Sequence, residues 1–413
     1  MVVVVFRHTD NVRVLRRSVV AVSTRRMLSG YRVVELAIWV AGPAAGGLLS
    51  DWGAEVIKVE SPAGDPMRTL FGSVGIEQSR VPPYELDNRG KRCVVLDLAT
   101  EDGKRDFEAL LATADVFITN LRLNALEKLG IDPASVTARH PRLVYSIVTG
   151  YGMVGPDRDR AGYDIGAFWA RSSLAGATVP PGELPPALRS GVGDHATAMT
   201  LTAGIVTALL NRERTGLGRV VHTSLLRTGI YLNGWDISIR QYFGKLSSTR
   251  PRSRNPTPMI NSYQAKDGRA FWLLGLEQER HWRPTLAALD RLDLTNDERF
   301  ASSVLRAKNC EALVAIFDAQ FLTQDSTFWT ERFDIHDVWW APINSIADVL
   351  ADEQAIAAGS YVDMPLVEGE ERYQSVASPV DFSDFHQVAR PVGALGVDTA
   401  AVLQSDEASD RGS

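Results

Sequence analysis

The chain has 413 residues, of which 45% are hydrophobic and 23% charged, and its formal net charge is −6. The mild acidic balance argues against a nucleic-acid-binding protein, which usually carries a basic excess, and no apolar run approaches the length needed to cross a bilayer. Cys93 and Cys310 lie far apart without metal-ligand spacing, which argues against a disulfide framework and a zinc site. We therefore expect a cytoplasmic protein without a bound metal, and the length favours two domains.

Residues 1–26 form an unusual N-terminal extension. It contains six arginines and a single acid, Asp10, between runs of valine. An organellar targeting segment is similarly rich in arginine and poor in acids, and the other interpretation is that translation starts at Met27. Under either interpretation we expect that the extension is not part of the fold.

From Tyr31 onwards, short β-branched runs alternate with helical patterns. The predicted strands are 32–36, 55–60, 93–97, 116–119 and 143–149, with helices at 101–113 and 124–129 among the connections. This alternation indicates βαβ units and a parallel sheet, whose strands can be apolar throughout because helices cover both faces. The pattern predicts a Rossmann-like α/β domain over residues 27–243.

The second half of the chain has a different organisation. Residues 244–258, GKLSSTRPRSRNPTP, are basic and rich in proline and serine, which is typical of a linker. Residues 259–338 predict a smaller α+β domain. Residues 340–350 return to a strand followed by a helix, and we expect residues 339–413 to form a linker and a C-terminal return to the large domain.

Asp194 is the most informative single residue. It follows Gly191-Val192-Gly193 and precedes a predicted helix from His195 to about Arg214, which is an N-cap position where aspartate accepts backbone N–H groups. The same geometry suits a nucleophile, because the helix N-terminus favours an ionised carboxylate and flanking glycines admit a substrate. The residues alone leave capping and catalysis both open.

Two other segments have a structural and a functional interpretation. The turn AGPAAGG, residues 41–47, lacks the dinucleotide and P-loop patterns; its N–H groups face an anionic ligand, or its glycines pack a helix closely on the sheet. Tyr163-Asp164, at the start of an aromatic segment, forms part of a site or simply a turn or helix cap.

Many segments together resemble family III CoA-transferases, the group of formyl-CoA transferase and carnitine CoA-transferase. The resemblance rests on RVVELAIWVAGPAAGGLLSDWGAEVIKVESPAGDPMR, DNRGKRCVVLDL, VFITNLRLNALEKLGI, PRLVYSIVTGYG, GYDIGAF, GVGDHATAM, RTGLGRVV and WAPINSIADVLAD. They follow one another in the expected order over about residues 29–404. The resemblance implies a large Rossmann-like domain built from both chain termini, a small domain in the middle, and an interlocked homodimer.

The resemblance also implies the chemistry. Asp194 would attack the thioester of an acyl-CoA donor, form a mixed anhydride and then an aspartyl-CoA thioester, and pass CoA to a small carboxylic acid. Tyr163, Asp164 and Gly193 would line the substrate pocket. The CoA contacts that carry over are Val40, Ala41, Asn88, Arg89, Gly90, Lys91, Asn120, Leu121, Arg122 and Lys128. Lys91, Arg122 and Lys128 are of the type that pairs with phosphates, and CoA is a substrate, with no permanently bound cofactor expected.

The sequence departs from the family pattern at two places. Ser61 stands where some members have a basic CoA contact, and NPTPMINSYQAKDG replaces the tetraglycine loop of formyl-CoA transferase, so we do not expect activity on formyl-CoA and oxalate. The segments FWARSSLAG and GVGDH resemble instead the branch that acts on 2-hydroxy and arylacrylic acids.

Two alternatives remain. α-Methylacyl-CoA racemases share the fold, but their catalytic histidine falls at Tyr163, and tyrosine, with a pKa of about 10, is a poor base near neutral pH. A non-catalytic CoA-binding subunit of a heteromeric transferase would have lost the nucleophile, whereas Asp194 is present.

Overall fold

The computed structural model describes residues 26–410, apart from residues 71, 73–74, 76–79, 367–371, 384 and 386. The predicted N-terminal extension therefore lies outside the described residues, except for Arg26. None of the helices in the described part of the chain has the length and apolar character of a membrane span.

A six-stranded parallel sheet forms the centre of the large domain. Its strands are β1 (Arg32–Leu36), β2 (Glu55–Glu60), β3 (Arg92–Val95), β4 (Val116–Thr119), β5 (Val144–Thr149) and β6 (Val220–Ser224). They lie in the order β3-β2-β1-β4-β5-β6, so the strand order reverses between β1 and β4. In open sheets of this kind, ligands bind where the order reverses, outside the carboxyl ends of the strands. The five predicted strands and the parallel α/β class are confirmed, whereas β6 was not predicted.

Helices pack on both faces of this sheet. The helices of the large domain are α1 (Ala41–Asp51), α2 (Pro82–Asn88), α3 (Glu101–Ala112), α4 (Leu123–Leu129), α5 (Pro133–Arg139), α6 (Leu174–Ala177), α7 (Val192–Thr215), α8 (Leu225–Leu232) and α9 (Gly234–Phe243), with a π-helix over Asp164–Ala170. Neighbouring residues of β1 belong to opposite faces: Val33 packs with Ala45 and Ile205, and Val34 packs with Phe107 and Leu126. Alternating side chains of a strand point to opposite faces, so α1 and α7 cover one face and α3 and α4 the other.

The small domain has an antiparallel sheet and a core of its own. Its elements are β7 (Ile260–Gln264), β8 (Ala270–Leu274), β9 (Trp340–Pro342), α10 (Gln278–Ala288), α11 (Ser303–Lys308), α12 (Cys310–Phe321) and α13 (Ser326–Ile335). Phe271, Phe317, Phe321, Trp329 and Phe333 are buried together in this core. Strand β9 extends this sheet past residue 338, where we placed the end of the domain.

The remaining elements lead back to the large domain. They are α14 (Ile346–Leu350), α15 (Glu353–Ala357), β10 (Tyr361–Asp363), β11 (Gln374–Val376) and α16 (Thr399–Asp410). Asp398 accepts a hydrogen bond from the Cys93 N–H at 2.8 Å, and the Thr399 hydroxyl accepts one from the Val95 N–H at 3.0 Å. These side chains occupy N–H groups on the free edge of β3, which would otherwise be open to pairing with another strand.

Candidate active site

The turn between β1 and α1 lies at the reversal of the strand order, and Asn120 fixes it. The Asn120 side chain donates to the Ile38 carbonyl at 2.6 Å and accepts from the Ile38 N–H at 3.0 Å. The next residue, Trp39, has a φ of 65°, which is uncommon for a bulky side chain. Its N–H donates to Asp65 at 3.2 Å. The turn is therefore held in an unusual conformation by side chains from two other segments.

A buried group of charges lies beneath this turn. Lys58 donates to Glu35 at 3.1 Å, to the Ala37 carbonyl at 3.0 Å and to Asp65 at 2.9 Å, and its side chain is fully buried. Glu35 also accepts from Lys91 at 2.6 Å. Buried charges persist when each has partners of opposite sign. This network therefore connects β1, β2 and the turn through ion pairs that exclude water.

The glycines of α1 are explained by close packing. A Cβ added to Gly46 would lie 1.9 Å from a carboxylate oxygen of Glu35, and one added to Gly47 would lie 2.7 Å from the Asp87 carbonyl oxygen. The N-cap residue of α1, Val40, has no capping side chain. Close packing therefore explains the glycines of AGPAAGG, and among the described residues no side chain caps the first turn of α1, so anion binding there stays a prediction.

Residues 88–91 lie inside the protein rather than at a free surface. Lys91 donates to Glu35, to the Pro43 carbonyl at 2.8 Å and to Asn88 at 2.9 Å, which occupies all three of its N–H groups. Arg89 makes a two-point ion pair with Asp51, at 3.0 and 2.7 Å. The expectation that Lys91 pairs with a phosphate does not agree with this geometry, because the ammonium group has no free donor.

Gly90, between these two, joins the loop to the C-terminal segment. Its φ is 74°, and a Cβ there would lie 2.7 Å from the guanidinium of Arg390. Its N–H donates to the Pro391 carbonyl at 3.1 Å. The segment 88–91 thus anchors the chain returning from the small domain.

Asp194 lies in the first turn of α7, but it is not the N-cap. The helix begins at Val192, and the N-cap is Gly191, with a φ of 82°. The predicted helix start at His195 is wrong by one turn, because Gly191 adopts the left-handed conformation that only glycine enters freely. Among the described residues, the Asp194 carboxyl group has no hydrogen-bond partner, and N-capping does not account for it.

The environment of this carboxyl group alters its ionisation. Burial raises the pKa of Asp194 to about 7, with a further contribution from Asp164, while His195 acts in the opposite direction. Removal from water thus opposes the ionisation that a helix N-terminus favours. Such a poised carboxyl group is typical of a functional site.

Asp164 and Gly193 support Asp194 from the side of the π-helix. Asp164 is buried and accepts from the Ile165 N–H at 2.7 Å and from the Gly191 N–H at 3.1 Å. A Cβ on Gly193 would lie 2.6 Å from the ring of Phe168 and 2.8 Å from Asp164 Cβ. Asp164 thus ties the π-helix to the N-cap of α7, and Gly193 allows the two helices to meet.

His195 and Asp87 belong to the same cluster and were not predicted. The two ring nitrogens of His195 lie 2.8 Å from the Gly191 carbonyl oxygen and 2.9 Å from an Asp87 carboxylate oxygen. Burial acts to lower the pKa of His195, but the hydrogen bond and charge of Asp87 outweigh it and raise the pKa. The sequence GDH placed His195 beside Asp194, but nothing in the sequence indicated that Asp87 would contact it.

The β1–α1 turn and the Asp194 turn adjoin each other. The rings of Trp39 and Tyr163 meet edge to face at 6.1 Å, and a Cβ on Gly191 would lie 3.9 Å from a Val40 methyl group. Tyr163 is 61% exposed. The predicted residues Val40, Ala41, Asn120, Tyr163, Asp164, Gly193 and Asp194 are therefore brought to one side of the domain.

Arg122 and Lys128 are exposed cations at the two ends of α4. Arg122 is the N-cap residue of α4, directly after β4 and the Asn120-Leu121 pair, and Lys128 is in the last turn of the same helix. Both side chains are exposed, and the described residues include no ion-pair partner for either. No group of side chains suited to hold a metal ion occurs in the described part of the chain.

Comparison with known proteins agrees with this arrangement. The model of CoA-transferase family III matches residues 28–399. The chain is 37% identical to the cinnamoyl-CoA:phenyllactate CoA-transferase of Clostridium sporogenes over 362 residues, 87% of this chain and 88% of that protein. It is 34% identical to the (R)-2-hydroxy-4-methylpentanoate CoA-transferase of Clostridioides difficile, covering 80% of this chain and 83% of that protein.

The fold has a close counterpart among solved structures. The crystal structure of a CAIB/BAIF family protein from Brucella suis superposes with a TM-score of 0.80 at 32% identity, covering 92% of this chain and all of that chain. The chain belongs to CoA-transferase family III, a family of enzymes whose substrates are CoA thioesters.

Proposed function

We propose that this enzyme transfers CoA from an acyl-CoA donor to a carboxylic acid through covalent intermediates on Asp194. The observation that carries the proposal is the Asp194 carboxyl group itself. It lies in the first turn of α7, has no hydrogen-bond partner among the described residues, and has a pKa of about 7. A group without a structural bond, poised near neutral pH, is suited to act as a nucleophile.

The first half-reaction loads CoA onto the enzyme. A carboxylate oxygen of Asp194 attacks the thioester carbonyl carbon, the carbon–sulfur bond breaks, and CoA leaves as a thiolate from a mixed anhydride. The thiolate then attacks the Asp194 carbonyl carbon and expels the donor acid as a carboxylate. The product is an aspartyl-CoA thioester, and no redox change or net proton transfer occurs.

The second half-reaction is the reverse with another acid. The acceptor carboxylate attacks the aspartyl thioester, which releases CoA thiolate and leaves a new mixed anhydride. Attack of the thiolate on the acceptor carbonyl carbon gives the new acyl-CoA and restores the Asp194 carboxylate. Each tetrahedral oxyanion needs hydrogen-bond donors, and the first-turn N–H groups of α1 and α7, which have no side-chain caps, are the candidates.

The CoA moiety would bind where the strand order reverses. Val40, Ala41, Asn120 and Leu121 would contact it, and Arg122 and Lys128 would pair with its phosphates. In contrast, we assign Asn88, Arg89, Gly90 and Lys91 to holding the loop in place, because their polar groups are used inside the protein.

The acids that we propose as substrates are 2-hydroxy acids and arylacrylic acids. Two relatives bear the names of such acids, phenyllactate with cinnamoyl-CoA and 2-hydroxy-4-methylpentanoate. The partly buried ring of Trp39 and the exposed ring of Tyr163 meet beside the Asp194 turn. Aromatic side chains there could stack on an aryl group, which supports this choice.

Racemisation is the nearest competing reaction on this fold. It requires a second base across the α-carbon from Asp194, and the position that resembles the histidine of the racemases is Tyr163. A phenol is a much weaker base than an imidazole, so transfer is favoured. The presence of Asp194 also argues against a non-catalytic CoA-binding subunit.

We also propose a homodimer in the cytoplasm. Helix α9 has no buried residue. Three large aromatic side chains on α8 and α9 are almost fully exposed: Tyr231 (83%), Trp235 (81%) and Tyr242 (82%). Aromatic residues grouped on a surface are typical of protein interfaces, and a second copy of this chain is the occupant we propose. The free, buried Cys93 and Cys310 agree with a reducing compartment.

The test is an assay of the purified protein against a panel of acyl-CoA donors and acids, with Asp194→Asn in parallel. The proposal predicts CoA exchange between at least one pair and a loss of several orders of magnitude in the variant, as removal of a nucleophile usually causes. Light scattering in the same buffer should give twice the chain mass. A folded variant that retains near-normal activity would contradict the role of Asp194.

A further inference from the structure

His195 makes two hydrogen bonds that a neutral imidazole cannot make together. One ring nitrogen lies 2.8 Å from the Gly191 carbonyl oxygen and the other 2.9 Å from an Asp87 carboxylate oxygen. A carbonyl oxygen and a carboxylate both accept, and a neutral imidazole has a single N–H, whereas the imidazolium has two. The geometry therefore selects the charged form of His195.

Both backbone groups of Gly191, its N–H and its carbonyl, form hydrogen bonds within this cluster. Its N–H donates to the buried carboxylate of Asp164 at 3.1 Å, and its carbonyl accepts from the His195 ring and from the His195 N–H, each at 2.8 Å. A φ of 82° places Gly191 at the turn that leads into Asp194. Charged side chains of opposite sign thus hold the turn that carries the proposed nucleophile.

We infer that the Asp87–His195 pair positions Asp194 and keeps it in the carboxylate form, so that His195 is a positioning residue for the transfer reaction. This inference rests on the proposed function of Asp194 as the nucleophile. Burial, the Asp164 carboxylate and, as the smallest contribution, Asp87 favour the protonated, unreactive form of Asp194, and the positive charge on the next residue opposes them. Asp87 secures that charge from α2 through a carboxylate that is itself buried.

The other charged side chains that line the cavity beside His195, Arg89 and Asp51, pair with each other. A cavity of about 320 Å³ between α1, α2 and α7 is lined by His195, Asp87, Arg89 and Asp51. Arg89 and Asp51 form their own two-point ion pair, so their charges largely cancel at the imidazole. The balance around Asp194 therefore depends on Asp164 and Asp87 against His195.

The inference predicts a change in pH dependence, which a merely structural histidine would not produce. In His195→Gln, and more weakly in Asp87→Asn, the acid limb of kcat/KM should move upward by about one pH unit, the low end of what a neighbouring charge causes. Activity at pH 6.5 should then fall about tenfold more than activity at pH 9. His336→Gln in the small domain is the matched control and should keep the wild-type profile.

A second measurement does not depend on turnover. In the full chain labelled at histidine 13Cε1, the resonance that disappears in His195→Gln should titrate above the ordinary histidine range, and it should move to lower pH in Asp87→Asn. A His195 ring that is neutral at pH 7 overturns the inference, as does an unshifted limb in an active, folded His195→Gln. Full activity in Asp194→Asn would instead overturn the proposed function itself, and the role of His195 with it.

Discussion

The side chain of Asn120 pairs with both backbone groups of Ile38, donating to the carbonyl at 2.6 Å and accepting from the N–H at 3.0 Å. It thereby joins the ends of β4 and β1 at the point where the strand order reverses. The next residue, Trp39, has a positive φ, so the turn requires such support.

Asn120→Ala should loosen this turn and weaken the binding of acyl-CoA. We expect KM for the donor to rise about tenfold, equivalent to about 1.4 kcal/mol, with a small change in kcat, because the contact concerns binding rather than the reacting atoms. Steady-state kinetics check this result, and Asn296→Ala, an exposed asparagine of the small domain, is the control. An unchanged KM would remove Asn120 from the CoA site.

The exposed cations of α4 should contribute to the binding of acyl-CoA. Arg122→Ala and Lys128→Ala should each raise KM for acyl-CoA several-fold and reduce its salt dependence, because both cations are exposed and form no ion pair with the part of the chain that the structure describes. The exposed Lys308→Ala in the small domain should do neither. If neither α4 variant differs from Lys308→Ala, the phosphates bind elsewhere.

The buried Lys91, in contrast, should contribute to the stability of the fold, which Lys91→Met tests. Removing one member of a buried ion pair leaves Glu35 partly uncompensated, and such changes cost about 3–5 kcal/mol. Thermal unfolding should therefore show a lower Tm for Lys91→Met than for Arg122→Ala. A Lys91→Met protein of normal stability with a raised KM would favour direct contact with CoA.

The raised pKa of Asp194 has a consequence for stability. The folded value of about 7 lies above the unfolded value near 3.9, so the folded state binds the proton more tightly and stability falls as pH rises between these values. Asp194→Asn should therefore raise Tm at pH 8, by at least about 2 °C, and by less at pH 5. Asp293→Asn, an exposed residue paired with Arg291, should not show this pattern. A lower Tm at pH 8 would contradict the assigned environment.

The reaction type can be separated from racemisation by isotope exchange. Tyr163 stands at the position of the catalytic histidine of the racemases. Incubation of a chiral 2-methylacyl-CoA in heavy water should therefore give no enzyme-dependent α-deuteration. Mass spectrometry of the recovered thioester checks this result. Clear exchange at the α-carbon would favour a racemase.

Much of the fold could be predicted from local patterns, because the inner strands are rich in Val and Ile, even though β1 and β2 also carry the buried charges of Glu35 and Lys58. The strand β6 was missed because it lies at the sheet edge, where Val220 is exposed and only its last two residues are buried. Three of its five residues, VVHTS, are polar for the same reason. Helix α9 was missed because its aromatic residues are not buried within this chain, so no inward-facing stripe marks it.

The sequence motifs indicated which residues belong to the site, but not which residues they contact. Asp194, Asp164 and Gly193 could be named from short segments, whereas the partners of Lys91 and His195 come from elsewhere in the chain. Glu35 is 56 residues from Lys91, and Asp87 is 108 residues from His195. Tertiary packing decides which charges pair with one another. Because the sequence does not show that Glu35 pairs with Lys91, Lys91 was expected to bind the phosphates of CoA.

The most direct test of the central claim is to trap the intermediate on Asp194. Wild-type protein incubated with a donor acyl-CoA and no acceptor, then treated with hydroxylamine, should yield a hydroxamate on the peptide that contains Asp194, and borohydride should reduce the same residue to an alcohol. Asp194→Asn should give neither product. Transfer activity without any modification of that peptide, or a modified carboxylate at Asp164 instead, would contradict the account.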